Sequence, residues 1–374
     1  SYGLVARDIN TGNAGTLLAL AELVAEHPEM AQQPLLAEAA RWMQRAPFIS
    51  GQPLPGLYIG EAGVGTALLR AGQILHEDAL IVAAIERGRL VASLPYASPD
   101  LFHGTAGRLR FHLWLWDETG EQEHLRHALA CGDQLLAAAL CNESQEVFWT
   151  IPEGYQALSG QTYLGYAHGA AGIADALLDL FEITGDERYA RLIQGVTRWL
   201  QRQASALPLE GDESASGWPI REHAAVTAPF WCHGGAGIGL FFLHAARHSF
   251  CSEASDLAAG AARSVACGTK WANATQCHGL AGNIEFLLDM YQATGQHLYR
   301  TQAFSLARCL SAFALEHKGL RVFPSEVPTV FTPDYMVGYG GIAMCILRLS
   351  APEHRPCQLS RPGFRYKPPV QNRT

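Results

Sequence analysis

Gly169-Ala170-Ala171-Gly172, followed by Ile173-Ala174-Asp175-Ala176-Leu177-Leu178-Asp179-Leu180-Phe181, is the stretch that decides the fold. Two glycines three residues apart, with small residues between them, open a run whose apolar positions fit a helix buried on most sides. The same arrangement recurs at Gly12/Gly15, Gly60/Gly63, Gly104/Gly107, Gly234/Gly237, Gly279/Gly282 and Gly338/Gly341, seven times in all. Paired glycines at a helix start permit close backbone approach, which suits helix ends crowded together. Between these runs lie amphipathic segments such as Arg188 to Gln201, introduced by the turn signals Thr119-Gly-Glu, Thr184-Gly-Asp and Thr294-Gly-Gln. The pattern predicts an all-α fold, an α/α toroid of seven inner and seven outer helices. All seven glycine pairs then gather at one end of the barrel. Ligands are expected there, because the positive ends of the inner-helix dipoles converge at that mouth.

The spacing of the repeats is uneven, and two long inserts, Asn142 to Leu164 and Ser205 to Phe230, read as loops over the mouth. Phe148 to Ile151 and Leu320 to Phe323 read as short extended pieces, with little strand elsewhere. The 374 residues, 48% of them hydrophobic, suffice for a large core, and the repeats argue for one domain over residues 1–374. The net charge of −8 without a Lys/Arg cluster argues against a nucleic-acid partner. The stretches poorest in charge are broken by glycine, histidine and proline, so no transmembrane span is expected. No signal segment opens the chain and its first residue is Ser, which points to a cytoplasmic protein and to a domain excised from a longer polypeptide. Nine scattered cysteines lack the density of a disulfide scaffold and read as reduced thiols. Cys131, Cys141, Cys251, Cys267, Cys309 and Cys345 lie in or beside helical segments as small hydrophobes, and Cys357 lies in a polar tail. Trp114 and Trp116 read as core.

Three repeats place a metal-ligand residue type directly before the first glycine: Tyr166-Ala-His168-Gly169, Trp231-Cys232-His233-Gly234 and Gln276-Cys277-His278-Gly279. A fourth, Asp100-Leu-Phe-His103-Gly104, adds an acid and another histidine. In a ring these equivalent positions meet at one mouth. Two thiolates and an imidazole suit tetrahedral Zn²⁺ with a fourth place left for substrate, the arrangement of a catalytic site. A lone Cys-His-Gly is more often a buried structural cysteine, but equivalent placement in successive repeats favours the ligand reading. For His168 and Asp100 the plainer alternative is helix capping. His103, His233 and Arg221 are candidates for supporting the site or meeting substrate.

These residues resemble the lanthionine synthetase C-like family: seven glycine pairs, with Trp-Cys-His-Gly in the fifth and Cys-His-Gly in the sixth, over nearly the whole chain. The resemblance implies a toroid, zinc held by Cys232, Cys277 and His278, and catalysis by His168 and Asp100. It also implies addition of peptide cysteine thiols to dehydroalanine or dehydrobutyrine in a precursor with leader and core, giving (methyl)lanthionine rings. The dehydrating portion is then expected upstream in a fused synthetase or as a separate enzyme. Bacterial relatives often carry an arginine four residues before the first zinc cysteine; here that residue is Ala228, and Arg221 is the candidate replacement. The alternatives are addition of glutathione or another small thiol, and a peptide-binding scaffold with structural zinc. A glycosidase built on Asp100, Glu61 and Asp334 ranks last, since it leaves the Cys/Cys/His set without a role.

Overall fold

The computed structural model describes residues 6–30, 32–46, 53–209, 214–268, 270, 273–357 and 359. Seven inner helices begin at the glycine pairs: α1 (Asn13–Glu26), α3 (Glu61–Leu75), α5 (Thr105–Thr119), α7 (Ala170–Thr184), α9 (Gly235–Ala245), α11 (Leu280–Thr294) and α13 (Tyr339–Leu349). Each packs on the next, and α13 returns to α1, so the ring closes. Outer helices α2 (Gln33–Arg45), α4 (Asp78–Ser93), α6 (Gln122–Ala138), α8 (Glu187–Gln203), α10 (Ala254–Cys267) and α12 (His297–Ser311) alternate with them. Among the described residues there are thus six outer helices beside seven inner ones, where the sequence suggested equal numbers. The seventh would follow α13, and residues 360–374 lie outside the described set. None of the described helices is long and apolar enough to cross a membrane.

The inner-to-outer reversals follow from local chemistry. At Thr184-Gly185-Asp186, the Thr184 hydroxyl donates to the Leu180 carbonyl and accepts from the Asp186 amide, while Gly185 takes the left-handed conformation at φ 65°. A side chain there would meet its own backbone, so glycine closes the turn at least cost. Gly120 and Gly295 repeat the arrangement.

At the mouth, one residue from the turn before each inner helix joins a closed circle of backbone hydrogen bonds. The Asn10 amide donates to Tyr58, Tyr58 to Phe102, Phe102 to Ala167, Ala167 to Cys232, Cys232 to Cys277, Cys277 to Met336, and Met336 back to Asn10. The separations run from 2.9 to 3.4 Å. Below this girdle an aromatic floor fills the barrel: Tyr58 stacks on Phe102 at 5.0 Å, and Trp231 lies 5.3 Å from Tyr58 and 5.5 Å from Tyr166. Arg110, fully buried, bonds Asp175, Asp179 and the Tyr166 hydroxyl, tying α5 to α7 under that floor.

The inserts are more ordered than loops. Strands β1 (Leu140–Cys141) and β2 (Val147–Phe148) form one hairpin, with Trp149 buried and its indole N–H on the Leu135 carbonyl. Within Ser205 to Phe230, β3 (Ser205–Pro208) pairs with β4 (Ser214–Gly217) and packs against α10 instead of the mouth. Ser and Ala alternating there fit the pleat against Gly260, whose missing side chain leaves room for Ser216; residues 210–213 of that insert lie outside the described set. A third hairpin joins β5 (Leu315–His317) and β6 (Leu320–Val322). Cys131, Cys251 and Cys345 are buried, whereas Cys141 and Cys267 are exposed, Cys141 because it falls in an edge strand. Trp114 is core, while Trp116 is half-buried at the ring's edge.

Ring closure is reinforced by charge. Arg348 on α13 bonds Glu285 and Asp289 on α11, both at 2.5 Å, and Arg355 bonds Glu26 on α1. Removing Arg348 leaves two carboxylates without a cation in a buried place. Arg348→Ala is expected to lower unfolding stability by about 3–5 kcal/mol. Arg188→Ala removes only solvent-exposed ion pairs and is expected to leave unfolding stability almost unchanged. Urea denaturation of the two variants against wild type checks the contrast.

Candidate functional site

The girdle sets where the chemistry lies. Cys232 and Cys277 are successive members of it, so their side chains leave neighbouring turns in the same register. Gly165 lets the turn before α7 come up against the turn that carries Cys232: a Cβ there would strike the Cys232 carbonyl and the His233 backbone. Cys277 and His278 are adjacent in sequence but sit in an irregular turn before the α11 cap at Gly279, and both turn toward Cys232.

The ligand atoms of Cys232, Cys277 and His278 all lie within 4.8 Å of one another, and the Cys277 Sγ to His278 Nε2 separation is 3.8 Å. Zinc bonds of about 2.3 Å to sulfur and 2.0 Å to nitrogen, set tetrahedrally, separate such donors by about 3.6–3.8 Å. The donor set therefore fits a single Zn²⁺ in both softness and spacing. Behind it, Glu326 meets His278 Nδ1 at 2.5 Å, fixing the ring so that Nε2 faces the thiols. The three groups hold their protons unequally. Burial pushes the Cys232 thiol up, but hydrogen bonds from Cys277 and His278 outweigh it and bring Cys232 well below the usual thiol range. Its bond to Cys232 and then burial hold Cys277 well above that range. His278, bonded to Cys232 and Glu326, is raised to about 10. A thiol lowered beside an imidazole raised makes a donor set whose proton a divalent cation would displace.

A second cluster stands beside the first. Asp100 is fully buried, and its Oδ2 accepts from His168 Nδ1 at 2.7 Å and from His103 Nδ1 at 3.1 Å, while its Oδ1 accepts from the His103 amide at 3.1 Å. His103 and His168 are stacked at 5.0 Å. His233 stands 5.6 Å from His168 and 5.4 Å from Tyr163, linking the two clusters. Its buried Nδ1 has no hydrogen-bond partner among the described residues, and burial lowers its pKa.

The mouth thus brings together Asp100, His103, His168, Cys232, His233, Cys277 and His278. Arg221 bonds Gln161 and pairs through its backbone with Tyr163, whose ring lies beside His168 and His233, but it makes no hydrogen bond to either cluster among the described residues. Its insert is held to Leu164 by the Ile220 carbonyl. Of the other carboxylates once weighed, Glu61 is paired with Arg7 at 3.1 Å and Arg87 at 3.3 Å, so it does not act as a free acid across the mouth. Burial raises Asp334. Glu326 and Tyr155 were not legible. Glu326 comes from a segment after the sixth repeat that carries no glycine pair, and Tyr155, which accepts from the Ser98 amide, comes from an insert.

A model of the family described as "Lanthionine synthetase C-like protein" matches residues 5–359. The chain belongs to the lanthionine synthetase C-like family. Its structure is similar to one titled "Nisin cyclase", with a TM-score of 0.66 at 16% identity, covering 92% of this chain and 88% of that one. It is also similar to the Lin0763 protein from Listeria innocua, with a TM-score of 0.51 at 13% identity, covering 78% and 84%. At these identities the likeness is one of fold, the family's helical toroid.

Burial pushes the Asp100 carboxyl up, but hydrogen bonds from His103 and His168 outweigh it and hold it at about 2. A carboxylate depressed in the folded state contributes stability that is present above its unfolded pKa of about 3.9 and lost as pH falls through the folded value. Stability supplied by Asp100 is thus expected to fade between about pH 4 and pH 2. The difference in unfolding free energy between wild type and Asp100→Asn should narrow across that window, and urea denaturation at stepped pH checks it.

Proposed function

We propose that this protein is a zinc-dependent cyclase that adds cysteine thiols of a dehydrated precursor peptide to dehydroalanine or dehydrobutyrine, forming thioether rings. The observation that carries the reading is the meeting, at one mouth, of a soft Cys232/Cys277/His278 set with a separate His168–Asp100 pair. Family membership supports the same chemistry. Cys232, Cys277 and His278 would hold Zn²⁺, with Glu326 orienting His278. When bound, zinc supplies the Lewis acidity that lets a peptide thiol ionise near neutral pH.

The remaining chemistry falls to the chain's own groups. The peptide S–H adds across the carbon–carbon double bond: sulfur bonds to Cβ, the π electrons move toward the carbonyl, and Cα gains a proton. One proton leaves sulfur and one arrives at Cα, so no oxidant or reductant is needed. His168 is placed to move a proton through Nε2, because Nδ1 is held on Asp100. Asp100 fixes that tautomer and stabilises the imidazolium, as a buried carboxylate does for histidine in acyl transfer. The aromatic floor closes the barrel below, so the peptide meets the site from the mouth side. The dehydrated substrate requires a dehydrating enzyme or upstream domain to supply it.

Purified protein is expected to hold about one zinc per chain, consistent with a single three-ligand site. Cys232→Ala and Cys277→Ala should lose it, and Glu326→Gln should weaken zinc binding by about 10–100-fold. Competition with a zinc-binding dye measures all three, and unchanged metal content in the cysteine variants would remove the metal assignment.

His168→Ala is expected to keep its zinc yet slow ring formation by about two to four orders of magnitude. The assay is mass spectrometry of a dehydrated, cysteine-containing peptide after thiol alkylation, with and without glutathione. A ring leaves the cysteine unalkylated at unchanged peptide mass. A glutathione adduct in place of the ring would move the assignment to small-thiol addition.

A further inference from the structure

The Asp100 cluster has a feature that proton transfer alone does not require. Two imidazoles from different repeats, His103 before α5 and His168 before α7, both aim Nδ1 at the same oxygen of one fully buried carboxylate. None of the described Arg or Lys side chains pairs with that carboxylate. Among the described residues the buried charge is met by the two imidazole N–H groups and the His103 amide. Two histidines and a carboxylate converging on a point are also a ligand set for divalent metals of the zinc, cobalt and nickel kind. Their donor atoms all lie within 4.8 Å of one another. The Asp100 contacts, 2.7 and 3.1 Å, are a few tenths of an ångström below the about 3.3 Å expected between donors around tetrahedral zinc. A small opening of the two rings would admit the ion. His103 and His168 retain 20% and 12% side-chain exposure, so the two rings border the mouth while Asp100 lies buried behind them.

We infer that Asp100, His103 and His168 form a second divalent-metal site, harder and weaker than the cysteine site, whose occupation by excess zinc blocks the proton-transfer pair. The affinity order follows from the donors. Thiolates bind zinc more tightly than neutral imidazoles, and here metal entry also breaks both imidazole–Asp100 hydrogen bonds. With a cation on Nδ1, His168 can no longer lean on Asp100 as it takes up or gives a proton. Excess zinc would therefore act as a brake on whatever acid–base chemistry His168 performs.

The test counts metal and does not depend on cyclase activity. Full-length protein is equilibrated by dialysis against stepped free Zn²⁺ up to millimolar, and bound zinc per chain is measured by emission spectrometry. Wild type should take one equivalent tightly and a second at least about tenfold more weakly. His103→Gln and Asp100→Asn should each weaken the second equivalent at least about tenfold and leave the first in place. Cys232→Ala should lose the first and keep the second. His103→Gln preserves bulk at a partly exposed position, so the test stands even if Asp100→Asn fails to fold. A wild-type curve that stops at one equivalent, or a second equivalent unmoved by His103→Gln, overturns the inference. A first equivalent unmoved by Cys232→Ala would instead overturn the zinc assignment of the proposed function.

Discussion

The closed circle of backbone hydrogen bonds at the mouth is the constraint on which the rest of this structure depends. Seven turns must each present one amide and one carbonyl at the same height for the circle to close. These groups are shut away from water by the helices around them and the aromatic layer below, where an unpaired backbone group costs about 1–3 kcal/mol. A shift of one turn therefore breaks bonds to both neighbours, so the repeats hold one another in register. Side chains borne by girdle residues, or by the residue after, inherit that register. This is why Cys232 and Cys277, 45 positions apart in sequence, present their sulfurs to one point.

The same constraint explains what the sequence reveals and what it conceals. The glycine pairs locate every inner helix because each pair marks a backbone crowded against its neighbours, a requirement visible in residue type. Equivalence between repeats then predicts that Asp100, His168, Cys232, Cys277 and His278 meet, and they do. Residues outside the repeat carry no such signal. Glu326 reaches His278 from a segment without a glycine pair, and its role is set by where that segment ends in space. Arg110, Asp175 and Asp179 look like ordinary charges on helices, yet they face inward and neutralise one another beneath the floor. The hairpin of β3 and β4 carries no strand signal in the sequence, because Ser, Ala and Gly alternate there without the bulky residues that usually mark strands.

The two clusters at the mouth differ in chemical character. Cys232, Cys277 and His278 are soft, and their protons are shared in a way that a metal can take over. Asp100 and His168 are hard, bound to each other by a hydrogen bond that fixes one tautomer. An addition that must deprotonate sulfur and protonate carbon needs both properties at once. One thiolate-rich centre could not supply the second, because its imidazole is committed to Glu326 and the thiols.

His233 stands between these unlike centres. It follows Cys232 directly and stands beside His168, so a charge on its ring would act on both clusters. Burial lowers its pKa, with Cys232 opposing and the nearby His168 and His278 acting in the same direction as burial. Replacing it by a cation would oppose both the metal and an imidazolium at His168. An acid there would compete with Asp100 for the His168 proton. In the proposed reaction the thiol would ionise on one side of His233 while His168 moves its proton on the other.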